Sequence, residues 1–181
     1  MTIDIINTNN AASCREAVNI SLQYGSLVKD HNMKIKDRFR ERIIYTVISL
    51  VVLIALLALT FIFWKVNALT VVAVVLLAVD VILGVVMHLK MKKMLRQLME
   101  DKRKKQLVLD EKGVEVKKDG ACVLRIDWNN IAAMRVFDET CCLIAKVFNG
   151  PAVIINKAYA AEVKQFIQTQ TNVDIEYIGI E

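Results

Sequence analysis

Two runs of the chain are almost free of polar side chains. Ile43 to Trp64, IIYTVISLVVLIALLALTFIFW, is 22 residues without a charge, about 33 Å of α-helix against a hydrocarbon core of about 30 Å. Ala68 to Leu89 is equally long and is interrupted only by Asp80. Helices that are apolar on every side fit lipid better than the core of so small a chain. Only Lys65-Val66-Asn67 joins them, so an antiparallel transmembrane hairpin over 43–89 (43–64 and 68–89) is expected. The first run begins after 42 residues, too late and too long for a cleavable signal peptide.

The flanking patterns differ. In Thr2–Ile6, Ile3 and Ile5 share a face at period two, which predicts a short strand. Asn9 or Asn10 can cap a following helix with the stripe Ala17, Ile20, Tyr24, Leu27 and Val28, Gly25 being a weak point. That helix is expected to run, with a break or two, through Ile35 and Phe39 into the first span. Residues 1–42 thus form a strand and an amphipathic helix. Residues 90–105 form a basic amphipathic helix with Met91, Met94, Leu95, Leu98 and Met99 at helical spacing.

From Gln106 the period changes. Leu107/Leu109, Val114/Val116 and Val123 through Trp128 are alternating runs, separated by Asp110-Glu111-Lys112-Gly113 and Asp119-Gly120, both turn signals. Ile131–Phe137, Cys141–Phe148 and Ala152–Ile155 supply three more strands, with Asn149-Gly150-Pro151 as a turn. Tyr159, Val163, Phe166 and Ile167 mark an amphipathic helix over 158–169, and Val173–Tyr177 alternates again. Residues 106–181 therefore read as an α+β domain: a small antiparallel β-barrel or sandwich with a helical plug.

Composition sharpens this division. The chain has 181 residues, 55% hydrophobic and 24% charged. The charged share is ordinary, so the apolar excess belongs to the hairpin. The net charge of +5 divides into +2 over 1–42, zero over 43–89, +6 over 90–105 and −3 over 106–181. Basic groups gather on both outer flanks of the hairpin against Lys65 alone in the loop, so both termini are expected in the cytoplasm of a cell-membrane protein. An acidic domain beside a membrane argues against nucleic-acid binding.

Two spans, a strand–turn–strand around Gly113, and Ile126-Asp127-Trp128-Asn129-Asn130-Ile131 with its Trp-x-x-Ile step resemble the YcxB-like family of bacterial membrane proteins. The resemblance covers most of the chain in its order of elements. It implies a PH-like C-terminal domain, a strongly bent antiparallel barrel capped by a helix, and the family offers no established enzymatic role to carry over. Where that family commonly has Ile-Pro-Lys before the closing helix, this chain has Ile155-Asn156-Lys157.

Candidate chemistry is sparse. Asp80 sits near the middle of the second span, where a carboxylate is costly and normally faces protein or water. Gly84 and His88 continue its stripe, and folding the hairpin about Val66 brings Asp80 within about a turn of Ser49. Asp80, Ser49 and Gly84 are therefore a candidate intramembrane polar contact. It pins hairpin packing, fixes a dimer, or serves a proton- or ion-responsive site. The basic run has two uses. As a stalk it continues the second span and packs on the helix before the first, its charges being the positive-inside signal. As a surface helix it places Lys102, Arg103, Lys104 and Lys105 on anionic lipid headgroups. The stalk is preferred because topology alone accounts for the charges. Lys117 and Lys118 near a hairpin tip could touch lipid phosphate, although adjacent Asp119 favours an ordinary turn.

Cys14, Cys122, Cys141 and Cys142 lack C-x-x-C spacing and lie far from His31 and His88 in sequence, so neither a metal site nor a cofactor is expected. Adjacent Cys141 and Cys142 should face opposite sides of a strand, and Trp128 reads as core. With no nucleophile elbow, P-loop or dinucleotide fingerprint, an enzyme is not expected and no small-molecule substrate is identified. The expectation is a membrane-anchored interaction module whose partner is a protein, a second copy or a lipid headgroup. The alternative is a channel- or transporter-like oligomer organised around Asp80.

Overall fold

A computed structural model describes residues 1–4, 10–63, 67–101, 105–148, 151–171 and 173–179. They divide into two compact units, Lys36–Met94 and a unit assembled from Met1–Ile35 together with Leu95–Glu181.

The apolar unit contains helix α2 (Arg38–Phe63) and most of α3 (Ala68–Glu100). Each starts on a side-chain cap. Asp37 Oδ1 accepts the amides of Phe39 and Arg40 at 3.2 and 3.4 Å, and Asn67 Oδ1 accepts that of Thr70 at 2.8 Å, satisfying amides with no helical partner. Both helices are long and apolar enough to cross a membrane. They differ from the expected spans at their ends. α2 begins at Arg38, ahead of Ile43, and α3 runs unbroken past Leu89 to Glu100. Nothing in Lys90–Glu100 breaks a helix, so the basic segment prolongs the span.

The other unit begins with β1 (Thr2–Asp4) and α1 (Ala11–Lys29). Asn10 caps α1 by accepting the Ala12 amide at 2.9 Å. The helix continues through Gly25, where packing offsets the low propensity, and stops at Lys29. The expected break falls between it and α2. Then come β2 (Lys105–Leu109), β3 (Gly113–Lys118), β4 (Ala121–Asp127), β5 (Ile131–Val136), β6 (Thr140–Ala145), β7 (Val153–Asn156), α4 (Ala160–Gln170) and β8 (Glu176–Ile178). Asp119 (φ 51°) and Gly120 (φ 84°) make the two-residue turn between β3 and β4. Both positive φ values suit a turn whose twist matches the strands, and Asp and Gly tolerate them.

The strands form two four-stranded sheets, ordered β1-β2-β3-β4 and β7-β6-β5-β8. This corrects the barrel expected from alternation: among the described residues no ladder joins one sheet to the other, and the arrangement is two sheets rather than a closed barrel. Neighbours pair antiparallel except β8, which runs parallel to β5. The N-terminal strand joins the first sheet, with Ile3 opposite Leu107.

Two apolar clusters hold the unit together. One gathers Ile3, Leu107, Leu109 and Val114 of the first sheet, Met134, Cys141, Leu143 and Ile155 of the second, and Val163 and Ile167 of α4. The other packs Ala17, Ile20, Tyr24 and Leu27 of α1 with Ala133, Cys142, Ile144 and Ile154. The second sheet is therefore covered on both faces. That explains why TCCLIA and VIIN are continuous apolar runs while the strands of the first sheet alternate. Leu98, from the end of α3, packs against the α1 cluster.

Candidate functional site

In the apolar unit, Ser49 Oγ donates to Asp80 Oδ2 at 2.5 Å. One turn further along α3, Gly84 is buried. A Cβ there would collide with Thr46 Oγ1 and stand 3.2 Å from Thr46 Cβ and Cγ2, so glycine is what allows the close approach. Asp80, Ser49 and Gly84 thus lie on one seam, to which the structure adds Thr46, whose hydroxyl donates to Arg42 O at 2.8 Å. A threonine inside a span gave no separate signal. The Asp80 side chain still keeps an exposed face on the hairpin.

The candidate lipid contacts divide. Lys102, Arg103 and Lys104 lie outside the described residues. Lys105 opens β2, and its Nζ sits 2.8 Å from Asp101, so its charge is already partnered. Lys117 Nζ lies 3.6 Å from Glu115.

Trp128 is 2% exposed. Its Nε1–H donates to Asp110 O at 2.8 Å, and its ring meets that of Phe166 at 6.5 Å. It is core, as expected. Cys141 and Cys142 enter different clusters on opposite faces of β6. Burial pushes the Cys141 thiol up to about 12 and raises that of Cys142 as well. Both are poor nucleophiles near neutral pH. Among the described residues no group of three His, Cys, Asp or Glu side chains could hold a metal ion.

Two charged residues that sequence reasoning overlooked, and the Tyr24 it placed on the apolar stripe of α1, fasten this unit. The Glu16 carboxylate accepts the amides of Asp138 and Glu139, both at 3.0 Å, and the Thr140 hydroxyl at 2.6 Å, tying α1 to the β5–β6 turn. Arg135 Nη1 donates to the carbonyls of His31 and Met33 at 2.6 and 2.8 Å, holding the segment after α1. Burial lowers its pKa, yet it remains a cation at any ordinary pH. The Tyr24 hydroxyl donates to Leu143 O at 3.3 Å and accepts the Ala145 amide at 3.0 Å. Nothing local in the sequence distinguishes Glu16 and Arg135 from solvated charges.

Among the described residues the two sheets end on β1, β4, β7 and β8, and the outer edge of β4 is the longest of these. Among the described residues no strand pairs with it, and most of its side chains are exposed, Val123 at 61%. Beside it is a cavity of about 190 Å³ lined by Tyr24, Leu124, Ile126, Ala145, Val147 and Pro151, among others. Val147 and Phe148 next to it are also exposed. Arg125, on the outward face of the strand, reaches Glu115 at 2.7 Å, Asp110 at 3.5 Å and Asp127 at 3.9 Å. A bare strand edge next to apolar side chains can accept another strand, with backbone bonds supplying affinity and the groove supplying selectivity. A second, polar cleft of about 540 Å³ lies by Trp128, Asn129, Gln170 and Thr171; none of its lining side chains is a buried group lacking a partner. Comparison with known proteins returns no matching family model and no matching curated protein.

Proposed function

We infer that this protein is a membrane-anchored, non-catalytic interaction module: a two-helix anchor that holds a PH-like recognition unit at the cytoplasmic face. The observation that carries this reading is the open β4 edge beside an apolar groove, on a unit built from chain segments on both sides of the hairpin. Since residues before α2 and after α3 belong to one folded unit, both must lie on one side of any membrane the helices cross. The basic flanks name that side as cytoplasmic. The PH-like and YcxB-like assignments rest on the order of elements, the Trp128-x-x-Ile131 step and the closing helix α4.

The Asp80–Ser49 bond within a single hairpin supports a packing role for Asp80 over an ion pathway, which two helices do not enclose. The test is a paired loss-of-function comparison in cells, with crosslinking in intact cells to identify what the chain touches. Asp80→Leu is expected to leave crosslinked partners unchanged, whereas Val123→Pro in β4, on the strand that carries the edge, abolishes them. Loss of the partners with Asp80→Leu and their retention with Val123→Pro would overturn the reading.

A further inference from the structure

We propose that the open edge of β4 pairs with β4 of a second copy of this chain, antiparallel about a two-fold axis through Ile126, so that Arg125 of each copy lies opposite Asp127 of the other. The proposal rests on the interaction-module reading and names its partner.

The backbone parity comes first. Trp128 N–H donates to Lys112 O at 3.2 Å, and Gly113 stands opposite Asp127 and Val114 opposite Ile126. Hydrogen-bonded and non-bonded pairs alternate in an antiparallel ladder. Ile126 therefore bonds to β3, and the N–H and C=O groups of Arg125 and Asp127 turn toward the free edge. A two-fold partner strand must meet those groups with its own Arg125 and Asp127. Three registers over 125–127 do so. One sets Arg125 against Arg125, one sets Asp127 against Asp127, and one sets Arg125 against Asp127 twice.

Charge decides among them, because like charges directly opposite destabilise a strand pair and opposite charges stabilise it. Charged side chains ordinarily protect an exposed edge from pairing. Here their alternation in sign blocks two registers and favours the third. Asp127 is suited to the role: its side chain is 62% exposed, and the cation it meets within its own unit, Arg125, is 3.9 Å away. On the opposite face the same register sets Ile126 against Ile126, at the groove that Ile126 and Leu124 already line. Anchoring both copies in one membrane raises their effective concentration, which a short ladder requires.

The test uses the full-length protein in its membrane. All copies carry Cys122→Ser, and Ile126→Cys supplies a thiol at the two-fold axis. In a non-bonded antiparallel pair the Cα atoms are about 4.5 Å apart, within the range that a disulfide spans. Mild oxidation is expected to give a covalent dimer, while a control protein that keeps Cys122 and Ile126 does not, because that register separates the two Cys122 residues along the strands. Adding Asp127→Lys to every copy, or Arg125→Glu to every copy, is expected to lower the yield at least fivefold. Mixing Asp127→Lys copies with Arg125→Glu copies restores it, since both cross-strand pairs are then opposite in sign. That rescue is not expected from a merely destabilised fold. A second pair, Arg125→Cys in one copy and Asp127→Cys in the other, reads the same register without altering Ile126. No dimer from either pair, or equal yields in single and mixed charge variants, overturns the proposal. If these results are negative while the anchored chain still captures another protein through the β4 edge, self-pairing fails and the interaction-module reading stands.

Discussion

Gly113 opens β3 with its α-carbon pressed against the backbone of β4. A Cβ at this position would overlap the Ile126 carbonyl oxygen and stand 2.9 Å from Asp127 Cα. Both obstacles are main chain, so no rotamer change clears them. Relief requires β3 and β4 to separate at Gly113. That disturbs the Trp128-to-Lys112 bond at 3.2 Å and the bond from the Asp110 amide to Gly113 O at 3.0 Å. Overpacking a tight site costs about 1–3 kcal/mol, and a rigid obstacle places Gly113→Ala near the top of that range. One weakened hydrogen bond adds about 1 kcal/mol. At about 4 °C per kcal/mol for a unit of this size, Gly113→Ala should lower Tm by about 12–16 °C. The assay is thermal unfolding of the full-length protein in detergent, followed by near-UV circular dichroism. Gly120→Ala serves as the comparison. Nothing lies within 4 Å of its Cβ, and the cost is only that of a positive φ, about 1–2 kcal/mol. A Gly113→Ala protein that melts within about 2 °C of wild type, or above Gly120→Ala, would refute the close-approach argument.

Three further outcomes follow from the same structure. Tyr24→Phe removes the hydroxyl shared by Leu143 O and the Ala145 amide; it should cost about 1–3 kcal/mol, and denaturant unfolding within about 0.3 kcal/mol of wild type would contradict it. A maleimide at pH 8 should modify exposed Cys122 in the folded protein and spare Cys141 and Cys142 until denaturant is added; comparable labelling of all three by mass spectrometry would show that β6 is not buried. The Asp110 pKa is lowered, chiefly by the Gly113 amide, with the Lys112 amide and Arg125 also contributing. A depressed carboxylate adds stability above its unfolded value, near 3.9, and loses that contribution as pH falls through its folded value. Asp110→Asn should therefore flatten the acid limb of a Tm–pH curve, and an unchanged limb would assign acid sensitivity elsewhere.

The hairpin and the seam around Asp80 were legible because both follow from local counting. A charge-free run has a length, and the three-residue connection sets which residues face each other, which alone puts Asp80 near Ser49. Strands with turn chemistry between them were legible for the same reason: Asp119-Gly120 and Asp110 through Gly113 declare themselves within four residues. Whether the strands close into a barrel or stay as two sheets was not legible, since alternation says which face of a strand is apolar and nothing about which edge finds a partner. The parallel pairing of β8 with β5 and the joining of β1 to β2 depend on contacts far apart in sequence. Glu16 and Arg135 also escaped notice, because an isolated charge on a helix or strand has the same local signature whether it is solvated or fastens a distant turn. The bare edge of β4 became visible only once its neighbours were known.

The pairing of β1 with β2 has a consequence for biosynthesis. Ile3 waits for Leu107, 104 positions later, and α1 waits for β6. On a ribosome both apolar helices emerge in between. The N-terminal arm must therefore stay unpaired until both helices have been made, and closing the sheet afterwards works as a clasp. Once β1 has docked, inverting the hairpin would require the finished unit to be undone first. Whatever arrangement the two helices have reached by then is in this way made permanent by folding.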